Sequence, residues 1–243
     1  MRGRRAERPP PAEHRRSADH RQFDAHRRQS GDLRLSADHP LARPTADRFW
    51  CWLCAVAAAG AVLVWALGPQ FLDPTLLDWQ PGRAASQPWR AISAAWVHLS
   101  LLHLGANLLG TAVVATLGMV AGCGKRATLA WALAWPLTHW ALLLQPALAH
   151  YGGLSGVLHA GVAVAAVQVL RHDHGARRWV GAALLAGLAL KCTLEAPWAG
   201  PLRTVPGWDI PIAPLAHASG SVAGLFCALA LSLGCPARHR QAA

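Results

Sequence analysis

Beyond residue 48 this chain has very little charge. Its last 195 residues hold 11 Lys or Arg and 5 Asp or Glu, and are rich instead in Ala, Leu, Val, Trp and Gly. So little charge excludes a soluble globule for this part and points to an integral membrane domain. The first 48 residues have the opposite shortage, almost no aliphatic side chains, with 12 Arg against 7 Asp or Glu. Such a segment cannot bury enough apolar surface to offset its ordering entropy, so it is predicted to be disordered. Acidic residues interleave with its arginines, which favours a solvated tail over an arm for nucleic acid or anionic lipid. No short apolar stretch lies near the start, so no signal peptide is expected. A second CxxC pair is also missing. Cys51 and Cys54 stand without a nearby His, so no metal site is expected. Together with Cys123, Cys192, Cys227 and Cys235 they read as small buried hydrophobes.

What the chain does have is a series of apolar runs. A bilayer core needs about 20 mostly apolar residues per helix. Runs of that kind fall at about 49–68, 100–122, 127–146, 154–170, 179–196 and 215–234. "GCGKR", "QPALAHYGG" and "RHDHGARR" separate the middle ones, and proline-rich loops follow the first and fifth. The expectation is an all-α, polytopic bundle of six transmembrane helices over residues 49–235. A disordered basic tail (1–48) precedes it and a short tail (236–243) follows. Six spans put both termini on one side. With that side cytoplasmic, inner segments carry 19 Lys or Arg and outer loops 3 (Arg83, Arg90 and Arg203). Dropping the tail leaves 7 against 3, so the positive-inside rule makes both termini cytoplasmic.

That topology brings polar residues to one depth. His98, His103 and Asn107 lie at the outer end of span two, Ser155 at that of span four and His217 at that of span six. Polar groups inside a membrane are costly enough to suggest function. His103 and Asn107, four apart, share a helical face. Gly156, Ala160 and Ala163 make a small-residue stripe beside Ser155, and Gly220 and Gly224 make a GxxxG below His217. Small residues allow close helix approach, so Ser155 and His217 are expected within hydrogen-bond reach. Taken singly, each feature also fits plain helix packing.

"WR" at 89–90, "HLSLLHLGAN" at 98–107, "GLSG" at 153–156 and "AHASGSVAG" at 216–224 resemble, in that order, the rhomboid intramembrane serine proteases. The resemblance implies a rhomboid-like six-helix bundle with a Ser155–His217 dyad lacking an aspartate and no cofactor. It also implies His103 and Asn107 around the oxyanion, His98 in a supporting network, and Trp89-Arg90 in a structured first loop. Many rhomboids carry Tyr where this chain has His159. "SGVLHAG" is more similar to the rhombosortase branch, although Ala160 stands where that branch has Gly. That branch implies a bacterial inner-membrane enzyme whose site opens to the periplasm. Its substrates would be membrane-anchored exported proteins with a C-terminal Gly-rich motif and apolar helix.

The residues suit that chemistry. The first turn of a helix leaves backbone N–H groups unpaired, so a serine there sits beside ready oxyanion donors. Glycines at 152, 153 and 156 let a substrate backbone approach. His217 would take the serine proton and return it to the leaving amine. His159 points back toward Ser155, either to support His217 or to act as the base itself. His139 and His150 read as structural. Lys191 and Glu195, four apart near the outer end of span five, suggest an interfacial ion pair. Alternatively, Glu195 faces a gap between spans two and five and recognises substrate. Two other functions compete with a protease. A catalytically silent client-binding relative would lack one of Ser155 and His217. A transporter would show an inverted repeat or intramembrane carboxylates.

Overall fold

The computed structural model describes residues 48–173 and 175–233. The tail assigned to 1–48 lies outside them apart from Arg48, and the one assigned to 236–243 lies wholly outside. Six long helices follow one another: α1 (Arg48–Phe71), α2 (Leu101–Val120), α3 (Lys125–Trp140), α4 (Ser155–His172), α5 (Ala176–Glu195) and α6 (Pro214–Leu233). The described residues form no sheet, only two isolated bridges. Helix ends fall at the expected punctuation. Gly68 leaves helical geometry before Pro69 and kinks α1 at the point where the first span was expected to end.

Among the described residues, four helices are long and apolar enough to cross a membrane: α1, α2, α3 with its 3-10 extension to Leu144, and α6. The two remaining helices do not reach that mark, and their composition gives the reason. α5 carries Arg177, Arg178, Lys191 and Glu195, whereas α4 is built from small residues and ends in Arg171 and His172. The fold is thus an all-α, multi-pass membrane bundle in which four of the six expected spans qualify by apolarity.

Many small side chains line the inside of the bundle, packed around a few buried large ones such as Trp50 and Trp131. Ala57, Ala61, Ala134 and Ala160 are fully buried, whereas Trp52, Leu63, Leu109 and Phe226 face outward. Lipid tails are as apolar as leucine, so large side chains gain nothing by turning inward and small ones let backbones meet. α4 sits at the centre, touching α2, α3, α5 and α6. Its contact with α6 leaves no room for side chains. A Cβ on Gly220 would collide with the Gly156 carbonyl, and one on Gly224 with the Ala160 carbonyl. Tryptophan N–H groups tie other helices together. Trp50 Nε1 donates to Val114 O (3.1 Å) and Trp131 Nε1 to Val157 O (2.8 Å).

The loop before α2 is held by a buried arginine. Arg90 Nη1 donates to Thr75 O (2.7 Å), Asp78 O (2.7 Å) and Asp78 Oδ1 (3.0 Å). His150 contacts the other oxygen of Asp78 at 2.6 Å. A buried ion pair needs further hydrogen bonds to offset its desolvation, and here Arg90 Nε donates to Gln87 Oε1 and Gln80 Nε2 to Asp78 Oδ1. Trp79 and Tyr151 then exchange two backbone hydrogen bonds (2.7 and 2.9 Å), and Gly153 N donates to Ala94 O at 2.9 Å. The approach to Ser155 is therefore anchored twice within four residues.

Candidate active site

Ser155 is the first residue of α4 and is half-buried. His217, in the first turn of α6, is 7% exposed, and its Nε2 lies 3.0 Å from Ser155 Oγ. The close approach of α4 and α6 at Gly156 and Gly220 produces this meeting across 62 residues of sequence. At Gly156 an added Cβ would stand 2.6 Å from Ala216 O, beside His217 itself.

The other imidazole nitrogen of His217 is also engaged. Nδ1 lies 2.6 Å from Glu195 Oε2, and Lys191 Nζ donates to Glu195 Oε1 at 2.6 Å. Lys191 Nζ also stands 3.4 Å from His217 Nδ1. The expected Lys191–Glu195 ion pair is therefore present, but half of the carboxylate turns to His217. Both oxygens are thus engaged, one with Lys191 and one with His217. His159 stacks flat on His217, ring centroids 4.4 Å apart at 14°, and its Nδ1 lies 2.6 Å from Ser155 O. That backbone bond turns the His159 ring toward His217, and Ser155 Oγ meets His217 rather than His159.

On the opposite side stand His103 and Asn107 of α2, both buried. Ser100 caps this helix, accepting from His103 N at 3.0 Å. Gly153 fits between them and Ser155. Its φ of 137° disfavours any side chain, and a Cβ there would lie 2.7 Å from His103 Nε2 and 3.8 Å from Asn107 Nδ2. Asn107 Nδ2 is buried and has no hydrogen-bond partner among the described residues. An unpaired buried donor is costly, so its placement beside Gly153, two residues before Ser155, requires an explanation. His98 lies against His103 (4.8 Å between ring centroids), with Nδ1 3.1 Å from Trp96 O. Burial lowers the His98 pKa, which favours the neutral ring.

His139 is packed between Trp79 and Tyr151, and His150 belongs to the Asp78 cluster, so both are built into the scaffold. Trp89 is exposed, while Arg90 does the bracing. Sequence reasoning passed over Tyr151, the chain's only tyrosine. Its hydroxyl donates to Gly153 O at 3.3 Å, steadying the glycine before Ser155, and burial pushes its pKa up. An aromatic next to GG and GxSG was the available signal. Asp209, in the loop between α5 and α6, was also missed. It accepts from Ser100 Oγ at 2.8 Å and ties that loop to the cap of α2.

The arrangement is a hydroxyl at a helix N-terminus with a hydrogen-bonded imidazole, and an unpaired amide donor beside the preceding Gly153. Among curated proteins no match is found. A family model described as the rhomboid domain matches residues 85–234, from the loop before α2 through α6. That match spans more than half of the chain and takes in every residue of the site, and the chain therefore belongs to the rhomboid family.

Proposed function

We propose that this rhomboid-fold membrane protein is an intramembrane serine endopeptidase working through Ser155 and His217. The observation that carries this reading is the 3.0 Å contact between His217 Nε2 and Ser155 Oγ at the start of α4. His217 removes the hydroxyl proton as Oγ attacks a peptide carbonyl, then gives that proton to the departing amine. In this reading the oxyanion is stabilised by Asn107 Nδ2, His103 Nε2 and the first N–H groups of α4. Water then releases the acyl group by the same steps in reverse.

In this reading all six helices cross the bilayer of a bacterial inner membrane, both termini are cytoplasmic, and the site opens outward. "SGVLHAG" favours a rhombosortase-like task, trimming the C-terminal membrane tail of exported proteins that carry a Gly-rich motif. The intact pair of Ser155 and His217 counts against a silent client-binding relative.

A fluorophosphonate probe tests the chemistry. The wild-type protein should be labelled, and Ser155→Ala and His217→Ala should each lose labelling and cleavage while remaining inserted. Full cleavage of a genuine substrate by either variant would refute the assignment.

A further inference from the structure

A serine–histidine pair leaves the second nitrogen of the imidazole unassigned, and here that nitrogen faces a carboxylate. We propose that Glu195 is the positioning residue of the site, turning the pair into a Ser155–His217–Glu195 triad clamped from outside by Lys191. This inference rests on the protease reading of Ser155 and His217.

Nδ1 of His217 has two charged neighbours, Glu195 Oε2 at 2.6 Å and Lys191 Nζ at 3.4 Å. An ammonium can only donate and a carboxylate only accept, so the two demand opposite tautomers. If Lys191 donated to Nδ1, the ring proton would sit on Nε2, and Nε2 could not accept from Ser155. The shorter contact decides the matter. Nδ1–H donates to Glu195, and the Nε2 lone pair points at Ser155 Oγ 3.0 Å away. Without the carboxylate, the nearest charged group to Nδ1 would be Lys191, which favours the wrong tautomer and repels a protonated ring.

Glu195 is held in place for this task. It is the last residue of α5, and the helix stops at Ala196 in a left-handed conformation (φ 51°). Arg203 Nη1 donates to Leu194 O at 2.6 Å, occupying a carbonyl in the last turn of the helix. Lys191, one turn earlier, takes the second carboxylate oxygen at 2.6 Å. The ring itself cannot turn away, because His159 stacks on its face at 4.4 Å.

The proton balance is simple. As the Oγ–C bond forms, the Oγ proton moves to Nε2 while the Nδ1 proton stays on the ring. His217 is then a cation, and Glu195 remains a carboxylate and offsets it. When the C–N bond breaks, its electron pair leaves with nitrogen, which takes the Nε2 proton. Water next attacks the acyl carbon and gives a proton to Nε2. Finally the C–Oγ bond breaks and that proton returns to Ser155. Glu195 never exchanges a proton, so it positions rather than reacts.

The test uses the full chain in detergent micelles and a cleavable transmembrane substrate. Glu195→Gln should lower kcat and the fluorophosphonate labelling rate by about 10²- to 10⁴-fold with KM changed by no more than about twofold. Lys191→Met should cost less than about tenfold, since it loosens the carboxylate without removing it. Independently of turnover, Ser155→Ala protein should show a strongly downfield His217 Nδ1 proton resonance that disappears when Glu195→Gln is added. Labelling of Glu195→Gln at the wild-type rate would overturn the proposal. So would equal slowing of Glu195→Gln and Lys191→Met, which marks a merely structural pair. Absence of the resonance from Ser155→Ala alone would overturn it too, with no variant at 195 required to fold. A wild-type protein that the probe never labels refutes the protease reading itself, a failure distinct from that of Glu195.

Discussion

α4 and α5 are neighbours of nearly equal length that are built to opposite rules. Eleven of the 18 residues of α4 are buried, whereas α5 buries only Gly181 and Cys192 among its 20. α4 is wedged among four other helices, and its carbonyls touch the glycines of α6. α5 leans on α4 and presents Leu190 and Leu194 outward. Ser155 and His217 therefore sit on the best-packed seam in the molecule, while Glu195 and Lys191 are carried by its loosest long helix. Positions that must hold hydrogen-bond geometry are placed where the backbone cannot shift. The carboxylate is delivered from a helix with more freedom and needs its own clamps, Lys191 and Arg203.

Glycine substitutions address this contrast most directly. Gly220→Leu drives a side chain into the Gly156 carbonyl, so helix spacing and the Ser155–His217 contact should be lost together. Labelling by the serine probe should fall below detection, with a lowered thermal midpoint. A Gly220→Leu protein labelled at a normal rate would show that the seam is not what holds the site. Asn107→Ala removes a donor without disturbing the seam, so it should reduce kcat by about 100- to 1000-fold at nearly unchanged stability. Equal loss in kcat and in thermal midpoint would make Asn107 a packing residue. His159→Tyr keeps a flat ring over His217 but loses the bond to Ser155 O. It should retain partial activity, within about tenfold of wild type, because the attacking groups are untouched. Gly187→Ala on α5 meets nothing within 4 Å among the described residues. It should leave cleavage unaltered and stabilise the helix by up to about 1 kcal/mol, read as a small rise in thermal midpoint. A large loss there would mean that α5 is more constrained than its exposure indicates.

Much of this arrangement was legible in the sequence because it is written in periodicity and punctuation. Apolar runs interrupted by "GCGKR" and "RHDHGARR" mark helix order, and small residues at Gly156, Ala160, Gly220 and Gly224 mark which faces meet. The spacing of Lys191 and Glu195 gave their ion pair. It did not give the bond from Glu195 to His217, because periodicity within a helix says nothing of its rotation against a neighbour. Those two residues are 22 apart, on either side of a loop whose course is set by Arg203, Ile212 and Asp209. α4 also falls short of a span's apolarity, since a helix buried by its neighbours on nearly every side needs small residues more than large ones.

The unpaired amide of Asn107 has a thermodynamic meaning in the proposed reaction. A buried donor without a partner costs about 1–3 kcal/mol, and the resting protein bears that cost. In the proposed reaction a planar substrate carbonyl would not reach Nδ2, whereas an oxygen displaced into a tetrahedral adduct would. The deficit is then cancelled only at the summit of the reaction coordinate, so it lowers the barrier without tightening the resting complex. Asn107 would thereby convert a flaw in the folded state into discrimination between a bound peptide and a reacting one.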